Sequence, residues 1–152
     1  MTSASKLKGN RAEMQVRDLL RRHTGYAWER VPGSGALQAD HDLKGDLYIP
    51  KYNNVCCIEV KHYKDDQLTS KILTDKTPIL VKWWDQTIRE AGEVDKIPLL
   101  IFKKDRGKFF LALQKIFIDT INSRYIYYSE KEILITLLEP WLIHNNDWFW
   151  VE

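Results

Sequence analysis

The stretch from Val55 to Lys61, Val-Cys-Cys-Ile-Glu-Val-Lys, constrains this chain more than any other. Its apolar, β-branched character reads as a buried strand, yet it carries a carboxylate and an amine two residues apart. Side chains alternate faces along a strand, so Glu59 and Lys61 share one side while Ile58 and Val60 point to the other. Charged groups near the middle of a sheet are unfavourable unless they are paired, metal-bound or used in chemistry. Any fold for this chain must therefore supply that pair with partners.

The neighbouring elements follow from periodicity and breakers. Ser5 to His23 has helical spacing, with Ala12, Val16, Leu19, Leu20 and His23 on one stripe, Glu13 at its border, and Gly25 to end it. Tyr26 to Val31 reads as a strand, and Pro32-Gly-Ser-Gly35 as a turn or loop, with irregular chain to about Lys44. Asp46 to Ile49 is a short strand stopped by Pro50; a turn over 51–54 then joins it to the Val55 strand as a hairpin. Residues 62–77 are polar and without a strong period, which suits a loop or short helical pieces.

Pro78 to Ala91 is a helix, with Val81, Trp84, Ile88 and Ala91 on one face. Ile97 to Phe102 and Lys108 to Leu113 are strands joined by a basic turn over 103–107, again a hairpin. Farther on, Ser129 and Glu132 precede an apolar run and suggest a capped helix ending near Pro140. The order predicts one α/β domain over 1–152, with a central mixed five-stranded sheet flanked by helices. Residues 114–152 read as an extension of a core spanning about 5–113, packed on that core or on a partner subunit. The apolar segment Asp147-Trp-Phe-Trp-Val151 argues that this end is packed.

Composition excludes some classes. A chain of 152 residues with 44% hydrophobic and 29% charged side chains suits one globular domain, and no apolar run approaches the roughly 18 residues that span a bilayer. No membrane association is expected, Met1 to Lys8 lacks the core of a secretory signal, and the expected location is cytoplasmic. Cys56 and Cys57 are adjacent, which suits neither a framework disulfide nor a metal-ligand spacing, so they read as small apolar strand residues. Net charge is only +2, but residues 1–31 carry seven Lys or Arg against three acids. That basic start is either a solvated helix face or a surface for an anionic ligand.

Chemistry enters through Glu13, Asp46, Glu59 and Lys61. If the second and third strands pair, Asp46 and Glu59 converge at one end. Converging carboxylates repel unless a cation lies between them, and an all-oxygen donor set without His or Cys favours Mg²⁺, with Mn²⁺ as a substitute. Such a cation activates water and neutralises charge on a phosphoryl group, and Lys61 beside it would orient the water or stabilise the developing charge. These groups describe phosphodiester hydrolysis.

Each residue also has an ordinary use. Glu13 could complete a capping box with Asn10, Asp46 could be a turn acid after Gly45, and Glu59 with Lys61 a surface ion pair. Ser34 alone would be a loop residue. The joint occurrence of these four readings, in this order and at these spacings, is far less probable than any one of them.

Asp46, twelve intervening residues and Glu59-Val-Lys61 resemble the PD-(D/E)XK nuclease signature, with Gly45-Asp46 in place of its proline and aspartate. Lys8-Gly-Asn-Arg-Ala-Glu13 and Arg30-Val-Pro-Gly-Ser-Gly-Ala36 resemble the corresponding segments of archaeal-type Holliday-junction resolvases, including those carried by phages. The match is specific across residues 8–61 and looser to about Leu113; residues 114–152 do not match. The resemblance implies a restriction-endonuclease-like fold and a homodimer that makes paired nicks in a four-way DNA junction. The positions matching Glu13, Asp46, Glu59 and Lys61 would be catalytic, with Ser34 assisting. Asp46 and Glu59 would bind the metal directly, and Glu13 directly or through water.

Six tryptophans, more aromatic surface than one small core needs, add to the expectation of a dimer. For phosphate contacts the chain offers Lys8, Arg11, Arg30 and Lys64, with Lys6 and the 103–106 turn as further cations. The alternatives are a nuclease of the same superfamily acting on duplex, nicked or flapped DNA, or a non-catalytic DNA-binding module on this scaffold.

Overall fold

The computed structural model describes residues 3–32 and 43–149. A long helix α1 (Ser3–Thr24) is followed by two minimal strands, β1 (Glu29–Arg30) and β2 (Leu47–Tyr48), and then by β3 (Cys56–Tyr63). One helical turn, α2 (Lys71–Thr74), precedes α3 (Ile79–Glu93), which leads into β4 (Ile97–Lys104) and β5 (Phe110–Gln114). A 3-10 segment (Lys115–Thr120), β6 (Ile126–Tyr128), β7 (Ile133–Leu137) and α4 (Leu138–His144) complete the order.

The strands form one mixed sheet in the order β1-β2-β3-β4-β5-β7-β6. Only β3 and β4 run parallel, from Cys56 beside Ile97 to Tyr63 beside Lys104. A parallel pair needs a crossover, and α3 supplies it. The β4–β5 hairpin and the β2–β3 pairing follow the sequence expectation, as does the mixed α/β class.

The sheet has seven strands, not five, and the two extra ones come from the segment expected to be an extension. Ser129 to Glu132 is a turn between β6 and β7, with Glu132 at φ +53°, and the apolar run after it is a strand. β7 lies between β5 and β6, with Leu134 in the core cluster on one sheet face and Ile133 and Ile135 in that on the other. A strand buried on both faces shows no polar alternation, which is why its sequence reads equally as helix. The terminal helix starts later, at Leu138, and tolerates Pro140 because the backbone N–H groups of a first turn have no helical acceptor.

Helices cover both faces of the sheet. Ala12, Val16 and Leu20 of α1 pack with Trp141 and Leu142 of α4 on Ile58, Val60, Leu99, Ile101 and Leu111. On the other side Leu80, Val81, Trp83 and Trp84 of α3 cover Leu100, Phe102, Ala112 and Ile133. Ile88, expected on the buried face of α3, is exposed, and Thr87 takes that place.

The five tryptophans among the described residues are used internally. Trp28, Trp83, Trp84 and Trp141 are buried, and Trp148 meets Phe117, Trp141 and Phe149 edge-on. These five therefore require no partner subunit to bury them. Phe149 is buried against Trp28 and Trp141, so the chain is packed at least to that residue.

Candidate active site

The site is built where β2 peels away from β3. Only Leu47 of β2 pairs with β3, opposite Ile58. Beyond that pair the exposed ladder of β3 is taken up by Asp46: its backbone N–H donates to Ile58 O at 2.7 Å, and its Oδ2 accepts from Val60 N at 2.7 Å. Asp46 is thereby fixed beside Glu59, which lies between those two backbone partners.

Gly45 makes this approach possible. Its φ is +81°, and a Cβ there would lie 2.5 Å from Ile58 O. Neither a side chain nor a proline, locked near φ −65°, suits that position, which explains the departure from the proline of the signature.

Glu13, Asp46, Glu59 and Lys61 line one cleft of about 690 Å³, so α1, the residue before β2 and β3 each deliver a group to the same place. Glu59 is only 4% exposed, and its carboxyl is pushed up to about 11. Burial is the leading cause, followed by hydrogen bonding to Glu90 and repulsion from Asp46 and Glu90, with Lys61 opposing. Asp46 is raised to about 6 by burial and by the charge of Glu13, against the hydrogen bond from Val60 and the charge of Lys61. Two adjacent carboxyls so reluctant to ionise have a deficit of positive charge.

Glu13 is engaged from the other side. Arg30 Nε donates to its Oε1 at 3.0 Å, while Arg30 Nη2 donates to Asn10 Oδ1 at 2.8 Å. This clasp joins β1 to α1. Because α1 begins at Ser3, Asn10 and Glu13 lie well inside the helix, and a capping box over these residues does not occur.

Glu90 was not legible as a site residue. It reaches the cleft from α3, and its Oε2 is buried with no hydrogen-bond partner. The available signal was its place three residues after buried Thr87 and seven after buried Trp83, on a row that otherwise faces the sheet.

Among the described residues, no group of three or more His, Cys, Asp or Glu is arranged to hold a metal ion. Of the three acids expected at a metal, Asp46 and Glu59 act on each other's charge and both feel Lys61, while Glu13 also acts on Asp46 and is held by Arg30. Two carboxylates suit a hard divalent cation of the Mg²⁺ kind, which is commonly held by one or two carboxylates and retains several waters.

The cations expected at DNA are placed differently from one another. Lys64 and Lys8 line the cleft, Lys8 also ion-pairs with Asp105, Arg11 is exposed, and Arg30 is committed to Glu13 and Asn10. Ser34 lies outside the described residues.

Comparison with known proteins gives the family of the chain. A family model described as "Phage putative PDDEXK endonuclease" matches residues 4–150. The chain belongs to this phage PD-(D/E)XK endonuclease family. It is also similar to Protein D14 of Escherichia phage T5, with 45% identity over 154 aligned positions covering 96% of each chain. The family match includes residues 114–150, in keeping with the place of β6 and β7 in the central sheet and of α4 packed on it. Among the described residues no helix is long and apolar enough to cross a membrane.

Proposed function

We propose that this endonuclease is Mg²⁺-dependent and structure-selective, and that it resolves four-way DNA junctions by paired phosphodiester hydrolysis. The observation that carries the chemistry is the convergence of Glu13, Asp46, Glu59 and Lys61 on one cleft from three separate elements. The choice of junction rests on the resemblance of residues 8–36 to junction-resolving enzymes. Acting as a phage protein, it would work in the cytoplasm of the host, as a homodimer so that two cleavage centres face opposite strands.

Asp46 and Glu59 would hold Mg²⁺ or Mn²⁺, which supplies Lewis-acid activation of water and neutralises charge on the phosphoryl group. Asp46 is pre-positioned by Val60, so its carboxylate needs no reorganisation to serve. Lys61 follows Glu59 on the same face of β3 and would donate to the attacking water or to a nonbridging phosphate oxygen. Glu13, held by Arg30, is suited to receive a proton or to fix a bound water. Lys8, Arg11 and Lys64 would attract the DNA backbone without reading sequence.

The test is cleavage of a four-way junction, a plain duplex and a flap at equal concentration, with Mg²⁺ and with EDTA. Symmetric nicking of the junction, absent in EDTA and in Glu59→Ala and Lys61→Ala, is expected. Preferential cutting of duplex or flap would move the substrate assignment within the superfamily. Absence of metal-dependent cleavage on all three would reduce the chain to a binding module.

A further inference from the structure

We infer that the turn after β4 forms a second backbone-phosphate site beside the active cleft, and that Asp105 occupies it as an intramolecular stand-in for a phosphodiester. The inference rests on the reading of the protein as a DNA enzyme and adds where a strand leaving the cleft is held.

Asp105 Oδ1 accepts from Lys8 Nζ at 2.8 Å, and His62 Nε2 lies 2.9 Å from the same oxygen. Around them Arg11, Lys103 and Arg106 line a hollow of about 310 Å³. Four cations thus line one hollow with a single carboxylate, Lys8 on the carboxylate and Lys103 over the Phe109 ring, an excess of positive charge that an oxyanion would relieve. Lys8 and His62 border both this hollow and the catalytic cleft, so the two are contiguous.

The pairing with Asp105 leaves donors unused. His62 approaches the carboxylate outside hydrogen-bonding direction, and neither of its ring nitrogens has a hydrogen bond within the described chain. Its pKa is lowered by burial and by Lys103, while that of Asp105 is lowered chiefly by the Lys8 hydrogen bond, so Asp105 is the anion of the set. The aspartate sits half-exposed on a turn closed by Gly107 N donating to Lys104 O at 3.0 Å. A phosphodiester offers two nonbridging oxygens where the carboxylate places one. It can take Lys8 and His62 together with an arginine.

Binding of the full-length protein to a labelled duplex and a labelled four-way junction, followed by anisotropy in EDTA across a salt series, tests this. Asp105→Asn is expected to tighten binding by about 3- to 10-fold at fixed salt, because it frees Lys8 and removes the one acid lining the hollow. Asp95→Asn, the same charge change at the opposite end of β4, should do much less. Lys103→Ala with Arg106→Ala should reduce the slope of log affinity against log salt by about 1.

Unchanged or weaker binding by Asp105→Asn would overturn the proposal. So would a lowered melting temperature with unchanged affinity, which would make Asp105 a tether between the turn and α1. Wild-type protein that binds no DNA would overturn the parent reading as well. Wild type that binds and cuts, with Asp105→Asn no tighter, would overturn this inference alone.

Discussion

Asp46 Oδ2 stands 2.7 Å from the backbone N–H of Val60, one residue beyond Glu59, so the side chain of one acid completes the strand that carries the other. Asp46→Asn can keep that acceptor while losing the charge. At neutral pH in EDTA it should be at least as stable as wild type, having no buried charge there to ionise, and show no cleavage. Asp46→Ala leaves Val60 N–H without its partner and should be destabilised by about 1 kcal/mol. Urea unfolding of both variants, alongside junction cleavage, separates the structural from the chemical role.

The acids also predict how the metal-free protein responds to pH. Glu59 rises from an ordinary 4.5 to about 11 and Asp46 from 3.8 to about 6 on folding, so the folded state holds protons that the unfolded chain releases. Raised carboxyl pKa values stabilise fully below the unfolded values, and that stability is lost as pH climbs through the folded ones. In EDTA, stability should fall between pH 5 and pH 9 by on the order of 1 kcal/mol per unit. Glu59→Gln should flatten the slope and melt several degrees higher at pH 8. A melting temperature that rises with pH in EDTA would refute this account.

Arg30 reaches both Asn10 and Glu13 from β1, and a lysine has no fork with which to do the same. Arg30→Lys should therefore lower the rate of cleavage about tenfold, with a smaller loss of stability because the pair is partly exposed. Glu13→Gln keeps the acceptor for Arg30 and should melt like wild type while losing activity. Equal activity of Arg30→Lys and wild type would show that the clasp does not position Glu13.

Gly45 offers a direct test of the approach between β2 and β3. Gly45→Pro restores the residue of the nuclease signature, yet φ +81° is closed to it, so it should unfold or lose activity. Gly45→Ala should be destabilised by more than about 1 kcal/mol, since both the backbone conformation and the contact with Ile58 O oppose a methyl group. Thermal melts of the two variants give the comparison.

The groups legible in the sequence were those whose chemistry and spacing agreed. Glu59 and Lys61 stood out as charges in an apolar strand, and the interval back to Asp46 is that of a hairpin in which β2 delivers its preceding residue to β3. Glu13 was legible from its place beside the Ala12, Val16 and Leu20 stripe. Glu90 was hidden because one acid on a helix otherwise facing the core carries no separate pattern. The Asp105 contacts were hidden for a different reason: Lys8 and Asp105 are 97 residues apart, and nothing local announces a partner at that range. β7 was misread because burial on both faces erases the alternation that marks a strand.

That strand also bears on how the chain is made. β7 is inserted between β5 and β6, so the sheet has a gap until residues 133–137 are available to fill it. During synthesis the catalytic half, through β3, emerges well before the strand that closes the far side of the same core. A product ending near residue 113 would contain every proposed catalytic group and still expose the open edge of β5, an invitation to pair with another chain. The sheet that carries the proposed catalytic side chains is therefore completed only by the last quarter of the polypeptide, which supplies none of them.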